Sequence, residues 1–334
     1  MSGFALVAHA DWSGDRANSG AKRQVAIARR DGRRWVAEPP RPVGEPMALV
    51  AAMLGECAGR AGRAGLLALD FPIGLPIAYA RRELGRHASF PEFLDAADPA
   101  RDDFFRIAAT LEECSAARPF FPAGSASGKG VKAAFLARIG LDAGTLLRAC
   151  DRKGPGVAAA CGIFWTLGAN QVGKAALAGW RELLWPCRRR GWNVGLWPFD
   201  GTLGALGRSR ALTIAECYPA EGYSRMRFAR APAARSGNGG HAPTGKRTQA
   251  WRRFHADTIR RFATANRIHL APPLLDAITD GFGTAASGED AFDAVIGLFA
   301  TIEVAAGRRG EGPIERPAIT SWEGWMLGRA DYPG

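Results

Sequence analysis

Three apolar runs of this chain end on, or enclose, a carboxylate, and no other feature limits its fold so sharply. FALVAHAD (4–11) ends on Asp11, LLALD (66–70) ends on Asp70, and LTIAECY (212–218) encloses Glu216. A carboxylate at the end of a core strand must be paired, hydrogen-bonded or metal-bound, because leaving it bare in an apolar setting is costly. In α/β sheets the carboxyl ends of the strands are also where ligands collect. Two more acids, Asp290 and Asp293, open the apolar run EDAFDAVIGLFA (289–300). Three residues apart, they share one face of a helix. Helix capping accounts for Glu289 and Asp290 as readily as a site does. It accounts less well for Asp293, which lies deeper, beside Phe292 and Val295.

The rest of the chain sets these runs in order. Strand Phe4–Ala10 is followed by a turn region, Ser13–Gly20. A hairpin comes next, Lys22–Arg30 and Arg34–Glu38 around Asp31-Gly32, a strong tight-turn pair. Pro46–Arg60 has helical period, with Met47, Val50, Met53 and Leu54 on one face. Leu66–Asp70 is wholly apolar, as befits a strand buried on both faces. Residues 77–206 then read as a mostly helical insertion. Its candidate helices are Pro76–Leu84, Phe104–Ala117, Val131–Arg138, Ala143–Ala149 and Gly173–Arg189. Leu212–Tyr218 resumes the strand pattern. Pro232–Gly245 reads as a low-complexity loop, Trp251–Asn266 as a basic helix, Leu274–Gly281 as a short helix and Glu289–Ala306 as an apolar helix. The core is therefore expected in 1–76 and 207–334.

Composition narrows the setting. The 334 residues are 47% apolar, enough to bury a sizeable core. No apolar run reaches the roughly 18 residues of a membrane span. The N-terminus lacks the basic start of a signal peptide, so a cytoplasmic protein is expected. Six cysteines at wide spacings form no CxxC, which suggests reduced thiols. The net charge is +12, and residues 207–269 hold 13 Lys or Arg against three acids, +10 of that total. A localised basic segment favours a polyanionic partner, RNA or DNA. Arg252, Arg253, Arg260 and Arg261 are the candidate backbone contacts. Lys174, in a P-loop-like GANQVGK (168–174) with Ala175 where Ser or Thr would hold Mg²⁺, is a candidate phosphate contact. GSASGKG (124–130) fails the P-loop spacing. His9 is expected as a core histidine.

Strand, hairpin, helix, strand, insertion, strand and late acidic helix: this order resembles the ribonuclease H-like fold. The resemblance implies a mixed sheet, strand order 3-2-1-4-5, flanked by helices. Five blocks narrow it further: ADWSG (10–14), LDFPIGLP (69–76), AECYPAE (215–221), EDAFDAVIGLFA (289–300) and WEGWM (322–326). Together they resemble, in order, the signature blocks of the DUF429 family, described as predicted nucleases of ribonuclease H-like fold. The resemblance places Asp11, Asp70, Glu216, Asp290 and Asp293 at a carboxylate cluster. Glu323, in WEGWM, is a further acid that could reach the cluster or tie down the tail.

The function expected is a Mg²⁺- or Mn²⁺-dependent phosphodiester hydrolase, with those five acids as catalytic metal ligands working by two metal ions. Oxygen-only donors suit Mg²⁺ or Mn²⁺ better than zinc. Two other classes stay open. One is an ATP- or nucleotide-dependent phosphotransferase on the same core. The other is a non-catalytic nucleic-acid-binding protein.

Overall fold

A computed structural model describes residues 3–13, 22–58, 64–122, 130–154, 159–166, 171–228 and 245–331. Most of Ser13–Gly20, Gly124–Gly130 and Pro232–Gly245, and 168–170 of the P-loop-like stretch, lie outside the described residues.

The architecture is mixed α/β, a central mixed sheet flanked by helices. In chain order the strands are β1 (Phe4–Asp11), β2 (Gln24–Asp31), β3 (Arg34–Ala37), β4 (Arg41–Pro42), β5 (Ala64–Leu69), β6 (Val194–Leu196), β7 (Leu212–Glu216) and β8 (Ile268–Leu270). The sheet order is β6-β7-β5-β1-β2-β3-β8, with β4 beside β2. This corrects the expected five-strand order 3-2-1-4-5. The added strands β6 and β8 are three residues each, too short for any periodicity to betray, and both lie at edges, where short strands are usual. β2 runs against its neighbours, whereas the pairings of β1 with β5, β5 with β7, β6 with β7 and β3 with β8 are parallel.

Each face of the sheet carries its own layer, dictated by the two-residue period of the strands. Leu6, Ala8 and Ala10 of β1, Leu67 and Leu69 of β5 and Ile214 of β7 face helix α1 (Pro46–Cys57) through Val50 and Met53. The same apolar cluster continues into the insertion through Phe90, Phe104 and Trp180, so the insertion shares the core. Val7, Leu66, Ala68 and Ala215 face the other way, towards the long apolar helix Ser287–Ala305. His9 lies on this face too, wholly buried against that helix. A Cβ on Gly297 would stand 2.2 Å from its ring, so only glycine fits there.

Several expected helices differ. Phe104–Ala117 is a single 3₁₀ turn (Asp103–Phe105) followed by turns, and Ala143–Ala149 is turn, ending in a second 3₁₀ turn. In the first segment three of the side chains are held by neighbours outside a continuous helix: Phe104 and Phe105 pack in the core, while Glu113 accepts from the amide of Ala109 and pairs with Arg118. Val172–Arg189 is helical as expected, with a π-turn at Trp180–Leu184. The basic helix is two helices, Gln249–Phe254 and Ala256–Ala265, meeting at His255. Helices Phe90–Ala96, Leu203–Ser209 and Pro219–Met226 were not expected. Among the described residues no helix is long and apolar enough to cross a membrane.

Candidate functional site

Strand register brings the first acids together. Ala10 pairs with Leu69, and the Asp70 amide donates to the Ala10 carbonyl at 3.0 Å, so Asp11 and Asp70 leave adjacent parallel strands side by side. Their carboxyls share a hydrogen bond. Helix Ser287–Ala305 lies over the same face and delivers Asp290 and Asp293 from its first turns. Asp11, Asp70 and Asp290 line one cleft of about 470 Å³, together with Lys22, Lys246 and Tyr218.

The electrostatics show a group of carboxyls short of positive charge. Burial, then the like charges of Asp293, Asp70 and Asp290, push Asp11 well above its ordinary range. Burial holds Asp70 at about 7, against the opposing pull of Lys246. Burial and then Asp70 push Asp293 well up. Asp290 rises to about 6 through burial and Glu289. Two ammonium groups answer them: Lys22 acts on Asp290, and Lys246 acts on Asp11, Asp70 and Asp290 and pairs with Asp293. Lys246 Nζ pairs with Asp293 and lies 3.4 Å from Glu289, and the Tyr223 hydroxyl donates to the other oxygen of Asp293.

Glu216 takes another path. It pairs in register with Leu69, not with Asp70. A one-residue offset turns a side chain to the opposite face of a sheet. There Glu216 meets Arg148, which is 0% exposed. Arg148 grips Glu216 through two bonds of 2.6 and 2.7 Å and Asp151 through two of 2.9 Å, and reaches the Glu323 carbonyl at 3.3 Å. Five contacts thus answer the five N–H groups of the guanidinium. The Ile73 amide also donates to Glu216 at 2.8 Å. Burial still raises the Glu216 carboxyl above its ordinary value, against the pull of Arg148. Both its oxygens are engaged, yet Glu216, Arg148 and Asp151 line the same cleft as Asp11 and Asp70, and the charge of Glu216 helps to raise Asp70.

Glu323 ties down the tail. Its carboxylate accepts from the amides of Ile77 at 3.2 Å and Ala149 at 3.0 Å. The Leu75 amide donates to the Trp322 carbonyl at 2.7 Å, so the LDFPIGLP and WEGWM segments lock together. The approach needs Gly324 (φ +62°), where a Cβ would lie 2.0 Å from the Ile73 carbonyl oxygen.

The basic candidates divide. Arg252 is 1% exposed and donates to the carbonyls of Lys246, Gly281 and Gly283. It bolts two loops together, which corrects its assignment as a phosphate contact. Arg253, Arg260 and Arg261 are exposed, and Arg260 pairs with Asp257. Lys174 is half-buried, and it is its neighbours Gln171, Val172 and Ala175 that line the cleft.

Sequence reading missed Lys246, Tyr223, Tyr218 and Arg148. Tyr218, 42% exposed in the cleft, stands two residues after Glu216 and could have been found from that spacing. Lys246 and Arg148 arrive from loops and carry no local signal.

The donor chemistry of Asp11, Asp70, Asp290 and Asp293 fits a hard divalent cation. As placed, Lys246 supplies the positive charge at Asp293, and among the described residues no three His, Cys, Asp or Glu side chains converge to hold an ion. Compared with models of known protein families, with curated proteins and with solved structures, the chain has no match.

Proposed function

We propose that the protein is a Mg²⁺- or Mn²⁺-dependent phosphodiester hydrolase acting on nucleic acid, on a ribonuclease H-like core. The observation that carries this reading is the gathering of Asp11, Asp70 and Asp290 in a single cleft, with Asp293 buried close enough for its charge to act on Asp11, each titrating above its ordinary range. Such crowding is unfavourable in the protein alone and is relieved by a cation. The path β3-β2-β1-β5-β7 inside the sheet, with β2 alone reversed, supports the fold assignment. So does the meeting of the LDFPIGLP and WEGWM blocks, which supports the likeness to the DUF429 family.

Asp11, Asp70 and Asp293 would hold the ion, with Asp290 at the cleft edge. The bound ion supplies charge neutralisation at a phosphoryl oxygen and lowers the pKa of water. Tyr223 and Lys246 orient Asp293. The Glu216–Arg148–Asp151 cluster fixes the segment after Asp70 through the Ile73 amide. The exposed ring of Tyr218 offers a stacking surface for a base. Arg253, Arg260 and Arg261 offer sequence-independent contacts to phosphate. A cytoplasmic setting goes with the reading, since all six cysteines are free.

Calorimetric titration with Mn²⁺ and Mg²⁺, wild type beside Asp70→Asn, followed by cleavage assays on labelled RNA and DNA, tests this. Saturable binding lost in the variant, and metal-dependent cleavage lost with it, are expected. Full cleavage by Asp70→Asn, or no cation binding by folded wild type with or without oligonucleotide, sinks it.

A further inference from the structure

A second concavity lies at the opposite end of the sheet from the aspartate cleft. Its place follows from strand direction. β2 runs against β1, and Arg29 pairs with Leu6, so Arg30 stands beside the start of β1. Arg33 sits in the β2–β3 turn. Arg267 immediately precedes β8, whose first residue pairs with Trp35. The helix Ser287–Ala305 begins at the aspartates and ends here, a rise of about 18 Å from Asp293 to Ala305 at about 1.5 Å per residue. Arg308 follows that end.

Arg30, Arg33, Arg267 and Arg308 together line a pocket of about 540 Å³, over Trp35 and three alanines, and no carboxylate lines it. Elsewhere in the chain arginines meet acids: Arg29 holds Glu38 and Glu56, Arg188 holds Asp95, and Arg309 holds Glu221. Glu303, the acid that acts on Arg308, is itself paired with Arg225 at 3.3 Å. Arg308 instead donates to the Asn266 side-chain oxygen at 2.9 Å. Burial, and the like charge of Arg267 against the pull of Glu303, push Arg308 below its ordinary value.

Helix capping does not account for this group. The C-terminus of a helix carries about half a negative charge, which one cation offsets. The amides of Arg308 and Arg309 already donate to the Glu303 carbonyl at 2.9 and 3.2 Å. Arg33, Arg267 and Arg308 alone outweigh that half charge several times over in one concavity. Guanidinium is the cation best shaped for phosphate, which it grips through two parallel N–H bonds. The volume falls within the roughly 300–1,000 Å³ of small-ligand pockets.

We propose that this pocket binds the phosphate groups of a phosphorylated ligand, either a compact polyphosphate or the backbone of a nucleic-acid strand, at a site separate from the aspartate cleft. The site stands whether or not the aspartates hold a metal.

The test is calorimetry in EDTA, with inorganic pyrophosphate and with a 12-nucleotide DNA as separate probes. Wild type is compared with the double variant Arg267→Gln/Arg308→Gln. A charge-matched control, Arg101→Gln/Arg106→Gln, removes two arginines of the insertion that are 88% and 51% exposed. Saturable pyrophosphate binding by wild type is expected, weakened at least tenfold in the pocket variant and unchanged in the control. Loss of pyrophosphate binding alone identifies a compact ligand. Parallel loss of DNA binding identifies a strand. Should the double variant fail to fold, the single change Arg33→Gln, in an exposed turn, must weaken pyrophosphate at least threefold. No saturable binding by wild type, equal loss in the control, or an indifferent Arg33→Gln overturns the proposal.

Discussion

Asp70→Asn should stabilise the metal-free protein, and do so more at pH 8 than at pH 5. Burial holds the Asp70 carboxyl at about 7, despite Lys246 and the hydrogen bond with Asp11. In an unfolded chain an aspartate titrates near 3.9. Below about 3.9 the carboxyl is protonated in both states and costs nothing. As pH rises from there towards 7 the unfolded chain releases its proton first, so folded stability falls. Above 7 the loss is complete. Three units at about 1.36 kcal/mol each set a ceiling of about 4 kcal/mol. The carboxyl is half-buried and lines an open cleft, so screening reduces this to about 2 kcal/mol at pH 8. Only about one unit separates pH 5 from the unfolded value, so about a third of the effect remains there. Asparagine keeps the shape and an acceptor for Asp11 but removes the charge. At about 2 °C per kcal/mol for a chain of this size, Tm should rise by about 4 °C at pH 8 and about 1 °C at pH 5. Scanning calorimetry in EDTA reads both. Equal shifts at the two pH values, or a lower Tm at pH 8, refute the claim that Asp70 is ionised against its surroundings.

Further changes test the parts around it. Mn²⁺ should raise the wild-type Tm, by about 2.7 kcal/mol of added stability at a hundredfold excess over Kd, and should not raise that of Asp11→Asn/Asp293→Asn. Lys246→Met removes the ammonium at Asp293, so calorimetry should show Mn²⁺ bound at least threefold more tightly; unchanged affinity would mean that Lys246 does not compete for the cluster. Arg148→Met leaves Glu216 and Asp151 buried without their cation and should cost about 3–5 kcal/mol in urea unfolding; a loss under 1 kcal/mol contradicts the network. Gly297→Ala drives a methyl into the His9 ring and should cost about 1–3 kcal/mol. In a double-mutant cycle with His9→Ala much of that loss should return.

Much of the sheet was legible because its central strands announce themselves. β1 and β5 are apolar runs ending at acids, and Asp31-Gly32 marks the hairpin between β2 and β3. The edge strands β6 and β8 were not legible, since three residues carry no period. In the insertion, Phe104–Ala117 has helical composition, but aromatic packing decides its path and propensity is overridden. The candidate site was half legible. Asp11, Asp70, Asp290 and Asp293 follow from acids breaking apolar patterns. Their cation did not, because Lys246 lies more than forty residues from any of them in sequence and only the tertiary fold sets it against Asp293. Arg252 was misread for the same reason: a guanidinium in a basic helix looks solvent-facing until three carbonyls are seen closing on it.

The fate of Glu216 shows how a single step of register divides the acids between two roles. Asp11 and Asp70 sit level with one another on adjacent strands and turn to the face covered by Asp293. Glu216 sits one residue earlier, level with Leu69, and turns to the face where Arg148 waits. The two faces then balance their charges differently. On one, a single guanidinium answers Glu216 and Asp151 through four bonds and spends the fifth on the Glu323 carbonyl. On the other, four carboxyls draw on Lys246, with Lys22 acting on Asp290, and burial and mutual repulsion press their protons on. An incoming cation gains little on the first face and relieves repulsion on the second. The strand pleat, by deciding which acids face which neighbours, thereby decides which of them are structural and which stay available for chemistry.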